Sequence, residues 1–414
     1  MKTLPRVLIV LVALVGFPGV CPGQESADGA PSAETASDRK DDSSPEPSKR
    51  DLFLDPDDGQ LDLSRFLASR KGFLPVGGLI TEPAVGYGAT LGLMFLSDSI
   101  KDRAAQMKER NLERLPPPSV TWAGGFATTN GSWGGGLAHL GVFKEDRYRY
   151  RGAFFYAGMN LDYYGSGGDL GLPVDSVSYT LDGFSLLQQL ERRLGDSNVF
   201  LGLNYRFSSF DTKLDLGLGL DPPEWFPSLE RKIKSSGVGG LVRYDSRDSI
   251  FTPDSGISAT AQTIFYDEAL GGDRTFRKGQ AKLRGWQPIK ESWVLGVRVD
   301  AELSGGDTPF YMLPSVEMRG IPSNRYQGQD ALSVEAELRW DLTSRWSLLG
   351  FLGSGWAAED GMGDFVFNQG HVAGGTGFRY LISRVFRIRT GMDFAWSDED
   401  FAFYFTTGTA WGER

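Results

Sequence analysis

The chain has 414 residues, a formal net charge of -10 and a mean hydropathy of -0.25, with 54 Gly, 27 Phe, 14 Tyr and 10 Trp. The acidic balance excludes nucleic acid as a natural partner, because phosphates would be repelled. No segment approaches the ~18 uninterrupted apolar residues of a spanning helix, so the way left to cross a bilayer is a closed sheet, in which every backbone donor and acceptor is paired.

Lys2 and Arg6 flank a short apolar run from Val7 to Val15, followed by small and turn residues up to Gly23. This predicts a signal peptide over 1–23, with cleavage near Gly23 removing Cys21, the only cysteine. In a rival reading Cys21 is a lipidated N-terminus, which the bulky Val20 before it disfavours. Residues 24–70 are rich in Ser, Asp, Glu, Pro and Ala and are predicted to be a disordered acidic tail, open to protease. Within it, Asp55-Pro-Asp-Asp-Gly-Gln-Leu-Asp62 has the look of a calcium loop, but Gly59 stands where a third carboxylate is needed, so no metal is expected.

Over 71–414 the period becomes two. Strands are predicted near 74–81, 85–96, 119–128, 132–143, 147–160, 177–191, 198–210, 234–245, 256–266, 275–287, 292–304, 331–341, 345–357, 371–381, 385–396 and 401–411. Phe386, Ile388, Thr390, Met392, Phe394 and Trp396 alternate with Arg387, Arg389, Gly391, Asp393 and Ala395. Leu332, Val334, Ala336, Leu338 and Trp340 alternate in the same way with Ser333, Glu335, Glu337 and Arg339. In a soluble sandwich the apolar face would line a core. With no apolar helix to cover it, the pattern reads as a transmembrane antiparallel β-barrel of about 16 strands, apolar residues outward and charges in the lumen. Trp286, Trp293, Trp340, Trp346, Trp356, Trp396 and Trp411 fall near strand ends, where interfacial girdles belong. Connections at 144–147, 288–292, 341–344 and 382–384 are short, and those at 161–176, 211–233, 305–330 and 358–370 are long, which puts both termini on the periplasmic side. By that parity the charged, helix-like insert 97–118 is periplasmic, as a solvated connector or as a lid.

The C-terminal half resembles the barrel domain of the BamA/TamA outer-membrane assembly family, the bacterial surface antigen barrel. The likeness rests on Arg243-Tyr-Asp245-Ser-Arg247-Asp248 with Pro253 and Gly256, Met318-Arg319-Gly320, Ala336-Glu337-Leu-Arg339, Gly375-Thr-Gly377-Phe-Arg379 and the end Tyr404-Phe405-Thr-Thr-Gly408-Thr-Ala-Trp411. The resemblance implies that the Arg319-Gly320 loop folds back into the lumen, with Arg319 paired to Glu337 and lying over Phe351. The family's Phe-x-Asp-x-Gly pattern reads Phe351-Leu-Gly353-Ser-Gly355 here. One acid is missing, and Gly353→Asp would be expected to restore it. The family's periplasmic POTRA modules have only the acidic tail in their place, so a periplasmic partner protein is expected to stand in for them.

Only His139 and His371 are available as bases, and no Gly-x-Ser-x-Gly elbow occurs. Glycine runs such as Gly374-Gly-Thr-Gly377 lack a following helix and a phosphate-binding Lys. No enzyme activity and no cofactor are therefore expected. The resemblance implies outer-membrane protein assembly or translocation, in contact with outer-membrane lipids. Two other readings stay open. One is a passive channel biased toward anions by Lys282, Arg284, Arg298, Arg379, Arg387 and Arg389, with Arg339 and Asp393 also facing the lumen. The other is a structural anchor for surface loops.

Overall fold

Alternation at period two produces strands wherever one face can be buried and the other tolerates its surroundings, and here it produces sixteen. They are β1 (Gly72–Glu82), β2 (Gly86–Leu96), β3 (Val120–Thr128), β4 (Trp133–Phe143), β5 (Tyr148–Tyr163), β6 (Val177–Arg193), β7 (Val199–Asp215) and β8 (Arg231–Asp245), then β9 (Gly256–Tyr266), β10 (Phe276–Lys290), β11 (Trp293–Gly306), β12 (Asp330–Asp341), β13 (Trp346–Ala358), β14 (His371–Ser383), β15 (Ile388–Ser397) and β16 (Phe401–Thr407). The computed structural model describes residues 53–69, 72–96, 119–165, 176–215, 231–359, 365, 370–398 and 401–411. The expected signal peptide, the tail up to residue 52 and the insert at 97–118 lie outside these.

Each strand pairs antiparallel with its sequence neighbour, giving one sheet in the order β1 to β16. β1 and β16 come side by side to make a nearly closed barrel, but no ladder joins them among the described residues. The outer wall is apolar: Phe73, Leu91 and Leu203 are each more than 70% exposed. Arg284, Arg298, Glu335, Arg379 and Asp393 are buried on the opposite face. This inversion of the soluble pattern is what a bilayer requires.

Two strand ends differ from the alternation reading. β15 begins at Ile388 rather than Val385, because the register shifts between Leu381 and Ser383 and Arg387 takes a left-handed φ of 51°. Phe386 is consequently buried in a turn instead of facing lipid. β16 stops at Thr407, since Gly408 at φ 83° turns the chain. Trp411 then reaches the lumen, where it packs 6.0 Å from Trp286. Both tryptophans are buried rather than interfacial. Trp293 and Trp340 do face outward, stacked at 5.3 Å.

The lumen is filled. The connection between β11 and β12, residues 307–329, turns inward, and its 3-10 turn Phe310–Met312 packs among Tyr163, Tyr179, Phe210 and Tyr311 itself, as edge-to-face aromatic contacts. Such contacts are worth about 0.5–1.5 kcal/mol each beyond burial.

Residues 53–69, placed by composition in the disordered tail, are folded. Asp55, Asp58 and Asp62 surround the buried guanidinium of Arg345, at 2.6, 2.7 and 2.6 Å, and the helix α1 (Ser64–Ser69) follows. Composition correctly scores such a segment as unable to build a core of its own; it misses that the barrel rim supplies the missing partner. The hydrogen bond from Arg345 holds the Asp58 carboxyl below its ordinary range. Burial acts to raise Asp62, but hydrogen bonds from Ser64 and Arg345 leave it lowered as well. Carboxyls depressed on docking contribute stability above their free pKa of about 3.9 and lose it as pH falls through the lower, docked value. Limited proteolysis of the full chain should therefore spare residues 53–69 from neutral pH down to about pH 4. Release should appear only on further acidification; loss of the segment already at pH 6 would contradict it.

Candidate functional site: a loop latched inside the barrel

The inward loop carries Val316, Met318 and Ile321, all essentially unexposed, around Arg319. Arg319 is itself buried, so its charge must be compensated by the wall. Its Nε and Nη2 donate to Glu335 Oε1 at 3.1 and 2.5 Å, and Nη1 donates to Asp393 Oδ2 at 3.1 Å. The expected Glu337 stands 2.8 Å from Nη1. Its Oε2 lies off the N–H direction and takes no hydrogen bond, so it contributes charge rather than a directed contact. The guanidinium carbon sits 3.6 Å from the Phe351 ring centroid and 5.9 Å from that of Trp411.

The expected Arg319–Glu337 pair over Phe351 is thus present, and it is one edge of a larger cluster. Glu335 is the principal partner. It lies directly across the ladder from Gly353 and receives the Trp411 Nε1–H at 2.5 Å. A Cβ at Gly353 would stand 2.8 Å from the Val334 carbonyl oxygen, 3.0 Å from Met318 Sδ and 3.2 Å from Glu335 Cγ. The space of the missing acid is taken up, and the charge comes from the opposite residue of the neighbouring strand. The expectation that Gly353→Asp restores the site is therefore reversed. Glu335 was visible in the alternation, on the same face as Glu337; what the sequence lacked was the depth at which the loop inserts.

Gly320 has φ 92°, and a Cβ there would stand 3.3 Å from those of both Ala373 and Ala395. Only glycine combines that backbone with so close an approach. Its N–H donates to Tyr404 Oη at 3.0 Å, and its carbonyl accepts from Ser397 Oγ at 2.8 Å. Three residues on, the Ser323 N–H donates to Glu82 Oε1 at 3.1 Å. Tyr404 stands in the closing motif, but its contact with the loop was not foreseen; Glu82 and Ser397 carry no motif of their own.

The other predicted lumen charges are paired. Arg298 donates to Asp300 at 3.0 Å and to the Glu317 carbonyl, so it also holds the loop. Arg284 reaches the same Asp300. Arg379 forms a two-bond fork with Asp393, at 2.6 and 2.9 Å. Arg339 meets Asp341 at 3.0 Å, the Pro253 carbonyl and Asp254, while Arg389 stands 3.5 Å from Asp341. Arg387 departs from the expectation. It lies in the β14–β15 turn, partly exposed at one mouth of the barrel, and pairs with Asp248 and Asp254 rather than facing the lumen from a strand. His371 stacks on Tyr326 of the loop, and His139 shares a hydrogen bond with Thr121.

Arg319→Ala leaves Glu335, Glu337 and Asp393 facing one another. Breaking a buried pair costs about 3–5 kcal/mol, so this variant should lower the thermal unfolding midpoint of the folded barrel more than Glu337→Ala does. The Arg319→Ala, Glu335→Ala double variant should be little worse than Arg319→Ala alone, because both remove one interaction; simple additivity would mean the two are not coupled. Gly353→Asp should destabilise, as a fourth acid and as a steric misfit, and a raised midpoint would show that the site accepts it.

Comparison with known proteins agrees with this geometry. Residues 132–317 match the Omp85 superfamily domain. No curated protein matches the chain. Among solved structures, BamA from Haemophilus ducreyi lacking POTRA domains 1–3 is similar at TM-score 0.53 and 15% identity, over 82% of this chain and 70% of that one. CdiB from Escherichia coli is similar at 0.53 and 12%, over 80% and 61%. CdiB from Acinetobacter baumannii is similar at 0.50 and 9%, over 81% and 59%. The chain spans about three fifths of the two CdiB chains, and at these identities the likeness is one of fold. The family's proteins assemble or transport at membranes and are not enzymes. Residues 132–317 of this sixteen-stranded, lipid-faced barrel thus match the Omp85 superfamily domain, and the chain is an outer-membrane β-barrel.

Proposed function

We propose that this barrel works in outer-membrane protein assembly or translocation, with the seam between β1 and β16 as the working edge. The observation that carries this is the seam itself. Among the described residues every other neighbouring pair of strands is laddered, whereas these two edges meet without a ladder. β16 has 7 residues against 11 in β1, so their edges cannot match along their length. In lipid, unpaired backbone groups are costly, and an open edge is a template for an incoming strand.

The passive-channel reading is disfavoured by what fills the lumen. Residues 307–329 lie across it, and the arginines expected to select anions are neutralised by Asp300, Asp341 and Asp393. The surface-anchor reading has no specific contact in its favour.

Tyr87 and Phe403 stack across the seam region at 5.7 Å. Cysteines at these two positions, joined by a short bismaleimide, should block insertion of a client barrel in proteoliposomes, while each single cysteine variant remains active. Undiminished insertion by the crosslinked protein would reject the seam as the working edge. In a planar bilayer the wild-type barrel should conduct weakly, and deletion of residues 315–328 should enlarge its conductance. A large, steady wild-type conductance unaffected by the deletion would favour the channel.

A further inference from the structure

Arg345, in the turn between β12 and β13, has all five of its N–H donors engaged. Nε donates to Asp58, Nη1 to Asp62 and the Leu381 carbonyl, and Nη2 to Asp55 and Asp58. Beside it, Arg384 in the β14–β15 turn lies 3.0 Å from Asp55, 3.1 Å from Asp57 and 3.0 Å from Asp58. The Arg345 side chain is fully buried; without carboxylates it would be an uncompensated buried cation.

Main-chain contacts accompany the charges. Leu63 N–H donates to the Ile382 carbonyl at 2.7 Å, Tyr380 Oη–H to the Leu61 carbonyl at 2.8 Å, and Arg384 N–H to Asp62 at 3.1 Å. The peptide is folded on itself by an isolated bridge between Leu54 and Leu61, and Gly59 at φ 66° makes the bend. These turns thus read both the acidic side chains and the backbone of an incoming peptide, as a recognition site does.

The topology gives the docking a consequence. The peptide sits on turns belonging to β12–β15, on one side of the seam, and the chain enters β1, on the other side, at Gly72. Docking therefore ties the foot of β1 across the seam. At the opposite end of the barrel the inward loop ties the same two edges, through Gly320 to Tyr404 and Ser397 and through Ser323 to Glu82.

We propose that the periplasmic turns bearing Arg345 and Arg384 form an acidic-peptide site, filled in cis by Asp55–Asp62, and that this docking straps the foot of β1 across the seam. An acidic peptide supplied in trans would compete for the site and free the strand. That the freed strand serves client insertion rests on the assembly reading above; the site and the strap do not.

Hydrogen exchange on the full chain in lipid nanodiscs tests both parts without any client protein. In an Asp55→Asn, Asp58→Asn, Asp62→Asn variant, exchange at residues 53–66 and at 72–77 of β1 should rise together, by about tenfold or more, with β9–β11 unchanged as the control for folding. A synthetic peptide of residues 53–66 should bind this variant and restore slow exchange at Arg345 and its turn, and should bind far less to the wild-type, whose site is filled. Arg345→Lys, which keeps the charge but loses the fork, should show the same release in milder form. Unaltered exchange at 53–66 in the triple variant, or no peptide binding to it, would overturn the site. Release at 53–66 with residues 72–77 unaffected would overturn the strap.

Discussion

A lipid bilayer offers no water to an unpaired N–H or C=O, and that constraint shapes this molecule more than any side-chain contact. It forces the chain into antiparallel ladders running from β1 to β16, each strand held by its sequence neighbours. Among the described residues, the one junction that escapes the rule is between the first and last strands. Because a long unpaired edge in lipid is unfavourable, the groups that hold β1 near β16 gain an importance out of proportion to their number. Those groups include the Ser323–Glu82 hydrogen bond inside the barrel and the Tyr87–Phe403 stack beside the seam.

The lumen solves a second problem created by the first. With apolar residues facing lipid, charges must face inward, and charges out of bulk water need partners. The wall answers with interleaved acids and bases, such as Arg298 with Asp300 and Arg379 with Asp393. Arg319 enters this lattice from the loop and joins β12, β13 and β15 through Glu335, Phe351 and Asp393. A loop fixed by so many strands cannot shift by small degrees; its release would require several contacts to break together.

Arg319 and Arg345 use the same chemistry in opposite surroundings. Both are buried guanidiniums set among three aspartates or glutamates. At Arg319 the acids belong to the wall and the arginine arrives on the loop. At Arg345 the arginine belongs to the rim and the acids arrive on a peptide. Planar forks suit both roles, since they fix orientation as well as charge.

Alternation at period two was enough to place the sixteen strands to within a few residues, and with them the buried face that carries Arg298, Arg339, Arg379, Arg389 and Asp393, because each of these follows from which way consecutive side chains point. The Arg319–Gly320 loop, Glu337 and Phe351 were named through family resemblance, which carries a long-range contact that local pattern cannot. Three features were decided only in three dimensions. Trp411 entered the lumen because Gly408 turned the chain, Glu335 displaced Glu337 as principal partner because of the depth of the loop, and the acidic segment 53–69 folded because Arg345, some 290 residues away in sequence, was waiting for it. Sequence fixes the direction of a side chain from its neighbours; which distant group it meets is settled only when the sheet curls round and brings the ends of the chain together.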